Sequence, residues 1–349
     1  MDPAQPRPAK MIERKKAIYT VAREFDQYLV QFGRSLRLPI DYEDLFRYSN
    51  ALALYDKDGE DTLWTTVSYS PHDQEDIHAS LLAVYALLRA EGDSSFMRHL
   101  YVDRIDLCLY GNTKPFRIRI VNGLNDNFDY FYVKEADASR IFGLELEHIL
   151  SPNRIGFLCF RSTLIEEHIY GVPGDMFQKR YWSDAHLNEV RLAKEFVKFN
   201  ERCFLRLLGD MHAANFIVDV TLDFDANTYR LRAIDFDQQS YEGRKNVYLP
   251  QFFKANLAYV DLAIKHLHAE SICQYQREER SLMRRRMKAA AARLGSLLDI
   301  MHTEALAPPE HVRTLREELA DHYHSRDFLA ARTMGDLVRQ SLTTLDLKL

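Results

Sequence analysis

The feature that most constrains the fold is a change in hydrophobic period along the chain. Between about residues 97 and 169, apolar residues recur in strand-length runs: HLYVDRIDLCLY, FRIRIV, DYFYVKEA, IGFLCFRS and TLIEEHI. One helical stretch, Ala138 to Leu150, interrupts them, and helical spacing prevails from Asp184 onward except in NFIVDV and YRLRAIDF. Alternating apolar residues predict strands, and apolar residues three and four apart predict helices. We therefore expect a small sheet with one inserted helix, followed by a helical body that holds a short hairpin.

The residues before this sheet contain no motif that we can connect to chemistry. Residues 1–10 are polar and proline-rich, and apolar spacing then predicts a helix from Met11 to Phe32. A β-like run from Thr62 to Tyr69 is followed by an amphipathic pattern from about Asp73 to Glu91. These patterns predict a mostly helical N-terminal extension over residues 1–95.

Composition excludes several classes of protein. With 349 residues, of which 46% are hydrophobic, the chain is long enough for one two-lobed domain or two small ones. A net charge of −5 argues against nucleic acid as a partner, because binding to phosphate backbones needs clustered Lys and Arg. No apolar run approaches the ~18 residues of a membrane span, so we expect no membrane partner and a cytoplasmic location. The four cysteines are too scattered to indicate a disulfide framework or a zinc site: Cys108, Cys159, Cys203 and Cys273.

The most informative segment is the string GDMHAANFIVD, which contains Asp210, His212 and Asn215 and runs into an apolar strand. A second string, AIDFD, ends the partner strand of the expected hairpin and contains Asp235. Each piece alone is compatible with a turn, a structural histidine and a strand-end carboxylate. Their conjunction favours a functional site: a glycine precedes the first aspartate, a histidine follows it, and an apolar strand follows the asparagine.

These residue types suit phosphoryl transfer, which depends on positioning and charge neutralisation more than on covalent help from the protein. Asp210 would orient or accept the proton of the attacking hydroxyl. Asn215 would offer an amide oxygen to a metal ion, and Asp235 would join that ion to the phosphates. Mg²⁺ prefers such oxygen ligands and keeps several waters.

The two strings resemble the catalytic loop and the metal-binding element of the protein-kinase-like superfamily, and most closely its aminoglycoside and choline kinase branch. In that branch a GDxHxxN string precedes a short hairpin, and an IDF or DFG element holds magnesium. The resemblance implies an α+β, two-lobed kinase-like fold, with a sheet lobe at residues 96–170 and a helical lobe at residues 171–349. It also implies ATP and Mg²⁺ as cofactors.

A kinase-like site needs a cation on a strand to hold the α- and β-phosphates, paired with a carboxylate on a helix. Lys134 ends the third strand-like run and meets the first requirement. The following helix offers Glu145 and Glu147 as partners, and spacing does not choose securely between them. We favour Glu145, because its i+4 neighbour Ile149 is apolar and turns that face inward.

Two more segments complete the resemblance. The stretch from Tyr110 to Lys114 is the candidate phosphate loop, and its single glycine is Gly111. The string EEHIYG resembles an interlobe hinge, in which the backbone groups of Glu167 and Ile169 would bind adenine. Three residues depart from the family pattern. Glu166 would face the base, Leu208 stands where the family often has a histidine, and Asp237 replaces a glycine.

The leading prediction is an ATP- and Mg²⁺-dependent phosphotransferase that moves the γ-phosphoryl group to a hydroxyl of a small molecule or a protein. A kinase-like nucleotidyl transferase that moves AMP is an alternative, and the composition of the product separates the two. A catalytically inactive nucleotide-binding module is a third possibility, which nucleotide binding without turnover would support. The sequence does not identify the acceptor.

Overall fold

A computed structural model describes residues 16–90, 92, 97–221 and 227–346. The chain divides into two compact units. The first contains residues 34–136 and 157–168, together with the described residues up to Thr20. The second contains residues 21–33, 137–156 and everything from Ile169 onward. Each unit therefore takes segments that lie far apart in the sequence.

The first unit is built on a seven-stranded antiparallel sheet with strand order β1-β2-β3-β4-β5-β7-β6. One long helix, α2, lies between the second and third strands in sequence. The elements are β1 (Asn50–Tyr55), β2 (Asp61–Ser68), α2 (Pro71–Ala90), β3 (Leu100–Leu107), β4 (Phe116–Asn122), β5 (Phe128–Glu135), β6 (Phe157–Phe160) and β7 (Thr163–Glu167).

Alternation along the strands sets which face of this sheet is buried. In β4, Phe116, Ile118 and Ile120 are buried, while the intervening Arg117 and Arg119 are partly exposed. Successive side chains of a strand point to opposite faces, so one face of the sheet is apolar and the other is polar. The helix α2 packs against β3 and joins the same core through Ile77, Leu81 and Val84, which are fully buried. Their spacing of four and three residues places them on one face of the helix.

The second unit is mainly helical and holds a small three-stranded sheet with strand order β10-β9-β8. Its central helix α5 packs against α6, α7 and β10. The elements are α1 (Arg23–Gln31), α3 (Ala138–Leu150), β8 (Val172–Pro173), α4 (Gly174–Tyr181), α5 (Glu189–Leu205), β9 (Phe216–Thr221), β10 (Thr228–Ala233), α6 (Leu257–His266), α7 (Ala269–Ala289), α8 (Ala291–Thr303), α9 (Pro309–Tyr323) and α10 (Met334–Thr343).

The predicted α+β class is confirmed. Every strand-like run in the sequence forms a strand, and the helix predicted from Ala138 to Leu150 has those bounds in the structure. The two late β-rich runs pair as the antiparallel hairpin β9–β10. Across the described residues, no helix combines the length and the apolarity needed to cross a membrane.

The described part of residues 1–95 contains a strand hairpin as well as helices. Strands β1 and β2 pair with each other and then with β3, so this hairpin lengthens the main sheet. Helix α1 belongs to the second unit and begins at Arg23, since residues 17–22 are described but not helical. The predicted helix start at Met11 lies outside the described residues. A boundary at residue 95 therefore does not match the division into units, because strand pairing joins residues on both sides of it.

Two glycines in the second unit offer a matched test of this packing. A Cβ on Gly335, in α10, would lie 2.3 Å from the carbonyl carbon of Met301 in α8, whereas a Cβ on Gly295, in α8, would meet nothing within 4 Å. We expect Gly335→Ala to lower the free energy of unfolding by about 1 to 3 kcal/mol, because the two helix backbones must separate. Gly295→Ala should raise it by roughly 0.5 to 1 kcal/mol through helix propensity. Denaturant unfolding measures both free energies. Equal changes of the same sign in the two variants would contradict the close packing of α10 against α8.

Candidate active site

The loop that contains Asp210 has an unusual backbone conformation. Asp210 has a φ of +60°, in the left-handed region that is uncommon for residues other than glycine. The surrounding hydrogen bonds hold it there: its N–H donates to the carbonyl of Val247 at 3.1 Å, and its own carbonyl accepts from the N–H of His212 at 2.9 Å. The N–H of Gly209 donates to the carbonyl of Gln238 at 3.1 Å. Backbone strain that is fixed in this way is typical of functional sites.

Asn215 ties this loop to the hairpin. Its side-chain Nδ2 donates to the backbone carbonyl of Asp210 at 2.8 Å, and its backbone carbonyl accepts from the N–H of Ile234 at 3.0 Å. A carbonyl can only accept, so the amide must turn its nitrogen toward Asp210 and its Oδ1 away. Ile234 directly precedes Asp235, so Asp210, Asn215 and Asp235 are joined through two hydrogen bonds in one unit.

Asp235 follows the end of β10, and its carboxylate is held by one oxygen. Oδ1 accepts from Nη1 of Arg140 at 2.9 Å and from the N–H of Asp237 at 3.0 Å. Both hydrogen bonds found for this carboxylate among the described residues use Oδ1. The side chain is 35% exposed, which leaves Oδ2 available to another ligand.

Arg140 is a site residue that the sequence analysis missed. It lies in α3 with a side chain only 2% exposed, and its Nη1 contacts both Asp235 Oδ1 and Asp237 Oδ1, the latter at 2.7 Å. Buried charges are stable only when they are paired. A signal was present, because Arg140 is the only arginine or lysine of an otherwise largely apolar helix. Its partners, about a hundred residues later in the chain, could not be read from local spacing.

This donor set fits a magnesium ion bound together with a nucleotide. At such sites Mg²⁺ is held by one or two protein oxygens, the substrate phosphates and water, so Asp235 Oδ2 and Asn215 Oδ1 are sufficient protein ligands. Within the described ranges, no group of three or more His, Cys, Asp or Glu side chains could hold a metal ion.

Lys134 and Glu145 each make an ion pair inside their own unit. Nζ of Lys134, in β5, lies 2.8 Å from Oε2 of Glu166, in the neighbouring strand β7. Nη2 of Arg293, in α8, donates to both carboxylate oxygens of Glu145, at 2.6 and 2.8 Å. Burial alone would lower the pKa of Arg293, but Glu145 raises it above its usual value. The predicted pairing of Lys134 with Glu145 would join residues of the two units, and it stays a prediction.

The alternative lysine partner, Glu147, is also engaged within the second unit. It forms a buried ion pair with Arg206, the residue after the end of α5. Both glutamates of α3 therefore pair with arginines from elsewhere in the second unit. Such pairs fix α3 in place, and with it Arg140.

The candidate phosphate loop connects β3 to β4 and is anchored within the first unit. The hydroxyl of Tyr42 lies 3.2 Å from the carbonyl oxygen of Thr113 and 3.0 Å from that of Lys114. A Cβ on Gly111 would lie 2.7 Å from Cδ of Pro115, so this position needs a glycine for close packing. A phosphate-binding role for Gly111 stays a prediction.

The predicted hinge coincides with the change from one unit to the other, which falls between His168 and Ile169. Glu167 pairs across β7 and β5 with Phe131, and its carboxylate accepts from Nη1 of Arg89 at 3.0 Å. Ile169 is buried, and the chain continues into β8. Burial lowers the pKa of His168, which favours its neutral form. Adenine binding by Glu167 and Ile169 stays a prediction.

Comparisons with known proteins add little to this description. No family model matches the chain, and no curated protein matches it. One similar solved structure is the Rio2 kinase–ADP/Mg²⁺–phosphoaspartate complex from Chaetomium thermophilum, at 8% identity and a TM-score of 0.31, covering 85% of this chain and 82% of that one. Titin kinase with its flanking domains gives 13% identity and a TM-score of 0.24, covering 65% of this chain and 51% of that one. TM-scores this low carry no argument about fold or function.

Proposed function

We propose that this chain is a kinase-like phosphotransferase that uses ATP and Mg²⁺ and moves the γ-phosphoryl group to a hydroxyl of a small molecule or a protein. The observation that supports this best is the linkage of Asp210, Asn215 and Asp235 through the Asn215 hydrogen bonds. These hydrogen bonds link the backbone segments of the second unit that carry a candidate base and two candidate metal ligands. Preorganised groups of this kind contribute most of the catalysis in phosphoryl transfer.

Each side chain has a distinct role in this proposal. Asp210 orients the acceptor hydroxyl and takes its proton as the bond to phosphorus forms. Asn215 and Asp235 hold the magnesium ion, which neutralises charge on the β- and γ-phosphates when it is bound. Lys134 is assigned to the α- and β-phosphates by the family resemblance. Gly111, Glu167 and Ile169 are assigned to the same nucleotide on that basis.

The composition of the product tests the proposal. The protein is incubated with Mg²⁺ and ATP labelled at either the α- or the γ-phosphorus, with cell metabolites and proteins as acceptors. We expect label from the γ position in an acceptor and the release of ADP. Transfer of label from the α position with release of pyrophosphate would instead establish AMP transfer. Nucleotide binding with neither product would show a binding module and overturn the proposed phosphotransfer.

A further inference from the structure

Asp235 and Asp237 share one cation, and that cation is a side chain of the protein. Nη1 of Arg140 lies 2.9 Å from Oδ1 of Asp235 and 2.7 Å from Oδ1 of Asp237. Because both distances meet at one nitrogen, the two carboxylate oxygens cannot be farther apart than the sum of these two distances. Two carboxylates so near to each other repel strongly unless a positive charge lies between them.

Burial fixes this cation in place. The side chain of Arg140 is 2% exposed and that of Asp237 is 11% exposed, whereas that of Asp235 is 35% exposed. Charge interactions are strengthened where water is excluded, so the guanidinium and both carboxylates are held together. Helix α3, which carries Arg140, is itself held in the second unit by ion pairs to Arg293 and Arg206.

We propose that Arg140 is a positioning residue that acts as a built-in cation, occupying the place between Asp235 and Asp237 that a divalent ion could otherwise take. Arg140 then keeps Asp237 from coordinating metal and turns Oδ2 of Asp235 outward. The consequence for catalysis rests on the proposed function: with a nucleotide bound, the site takes one metal ion through Asp235 Oδ2. The cation position between the two carboxylates follows from the geometry alone.

A purely structural ion pair makes a different prediction. If Arg140 only stabilised the fold, its replacement would lower the unfolding temperature by the same amount with or without divalent ions. If Arg140 occupies a cation position, its replacement should also lower the unfolding temperature, but a divalent ion bound between the two carboxylates should raise that temperature again. The response of the variant to metal, measured without nucleotide, therefore separates the two.

The test compares the unfolding temperatures of the parent protein and Arg140→Gln in EDTA and in millimolar Mg²⁺ or Mn²⁺. We expect a rise of about 2 to 3 °C for Arg140→Gln once the ion exceeds its dissociation constant tenfold. The parent should change little, and so should Arg140→Lys, which keeps a cation. The double variant Arg140→Gln with Asp237→Asn should lose the response, because one of the two carboxylates is gone.

Equal metal responses of the parent and Arg140→Gln would overturn the inference. So would an Arg140→Gln protein that stays unfolded in millimolar divalent ions, because no ion then replaces the guanidinium. A variant that folds only when a divalent ion is added would support it. The outcome is independent of the proposed function, because no nucleotide is present and turnover by the parent protein is measured separately.

Discussion

Replacing Asp210 with asparagine is expected to cut turnover of ATP on the order of a hundredfold or more while leaving nucleotide binding nearly unchanged. The substitution preserves shape but removes the negative charge that would take the proton of the acceptor. Asparagine also tolerates the left-handed backbone conformation of this position, so the loop should keep its structure. Initial rates of ADP release at saturating ATP and Mg²⁺ measure the effect.

A matched control for this variant is Asp219→Asn. Asp219 lies in β9, four residues after Asn215, and no role is proposed for it. It should keep the parent rate and the parent affinity for nucleotide. An Asp210→Asn protein that turns over ATP at the parent rate would remove Asp210 from its role, and equally slow rates in both variants would indicate a general effect of altering the hairpin region.

Replacing Asp235 with asparagine is expected to abolish most of the Mg²⁺-dependent part of nucleotide binding. The loss in affinity should be about a hundredfold, at least as large as the effect of removing a group that only supports a metal ligand. At saturating ligand in the parent, this corresponds to roughly 2.7 kcal/mol of lost stabilisation. The shift in unfolding temperature caused by ADP with Mg²⁺, compared with ADP and EDTA, measures this loss.

Asp235→Asn also weakens the ion pair with Arg140, so its unfolding temperature without ligand should fall. The informative quantity is therefore the ligand-induced shift within each variant, and Asp219→Asn again serves as the control. Similar Mg²⁺-dependent shifts in the parent and in Asp235→Asn would exclude Asp235 as the metal ligand.

Local patterns predicted the parts of this fold that depend on local interactions. The apolar spacing of α3 follows from burial of its faces over a few helical turns. The alternation in β4 and β5 follows from burial of one strand face over a few residues. The hairpin β9–β10 also followed, because its two strands are close in sequence. Pairing of Phe216 with Ala233 brings the two strand ends together. The hydrogen bond between Asn215 and Ile234, the residue before Asp235, is therefore a consequence of this hairpin.

These local patterns could not predict which strands and which charged residues pair over long sequence distances. The sheet places β7, and not β6, beside β5, and this order brings Glu166 to Lys134. No property of either segment specifies that choice. In the same way, Glu145 and Glu147 are both buried in α3, and the spacing of this helix could not identify Arg293 as a partner of Glu145 148 residues later in the chain.

The departure at Asp237 now has a physical explanation. In the sequence it stood only as an aspartate in place of a glycine, while Arg140 was one residue of a predicted helix. In the structure the two are ion-paired, and each accounts for the presence of the other. A pair of unexpected charges, one in an apolar helix and one in the AIDFD string, was the available signal.

The position of a bound metal ion tests the central claim most directly. Crystals of the protein grown with ADP and Mn²⁺ would show the ion by its anomalous scattering. We predict one ion about 2.1 Å from Oδ2 of Asp235 and from Oδ1 of Asn215, with phosphate oxygens completing its coordination. An ion bound elsewhere, or a nucleotide bound away from these two side chains, would contradict the account.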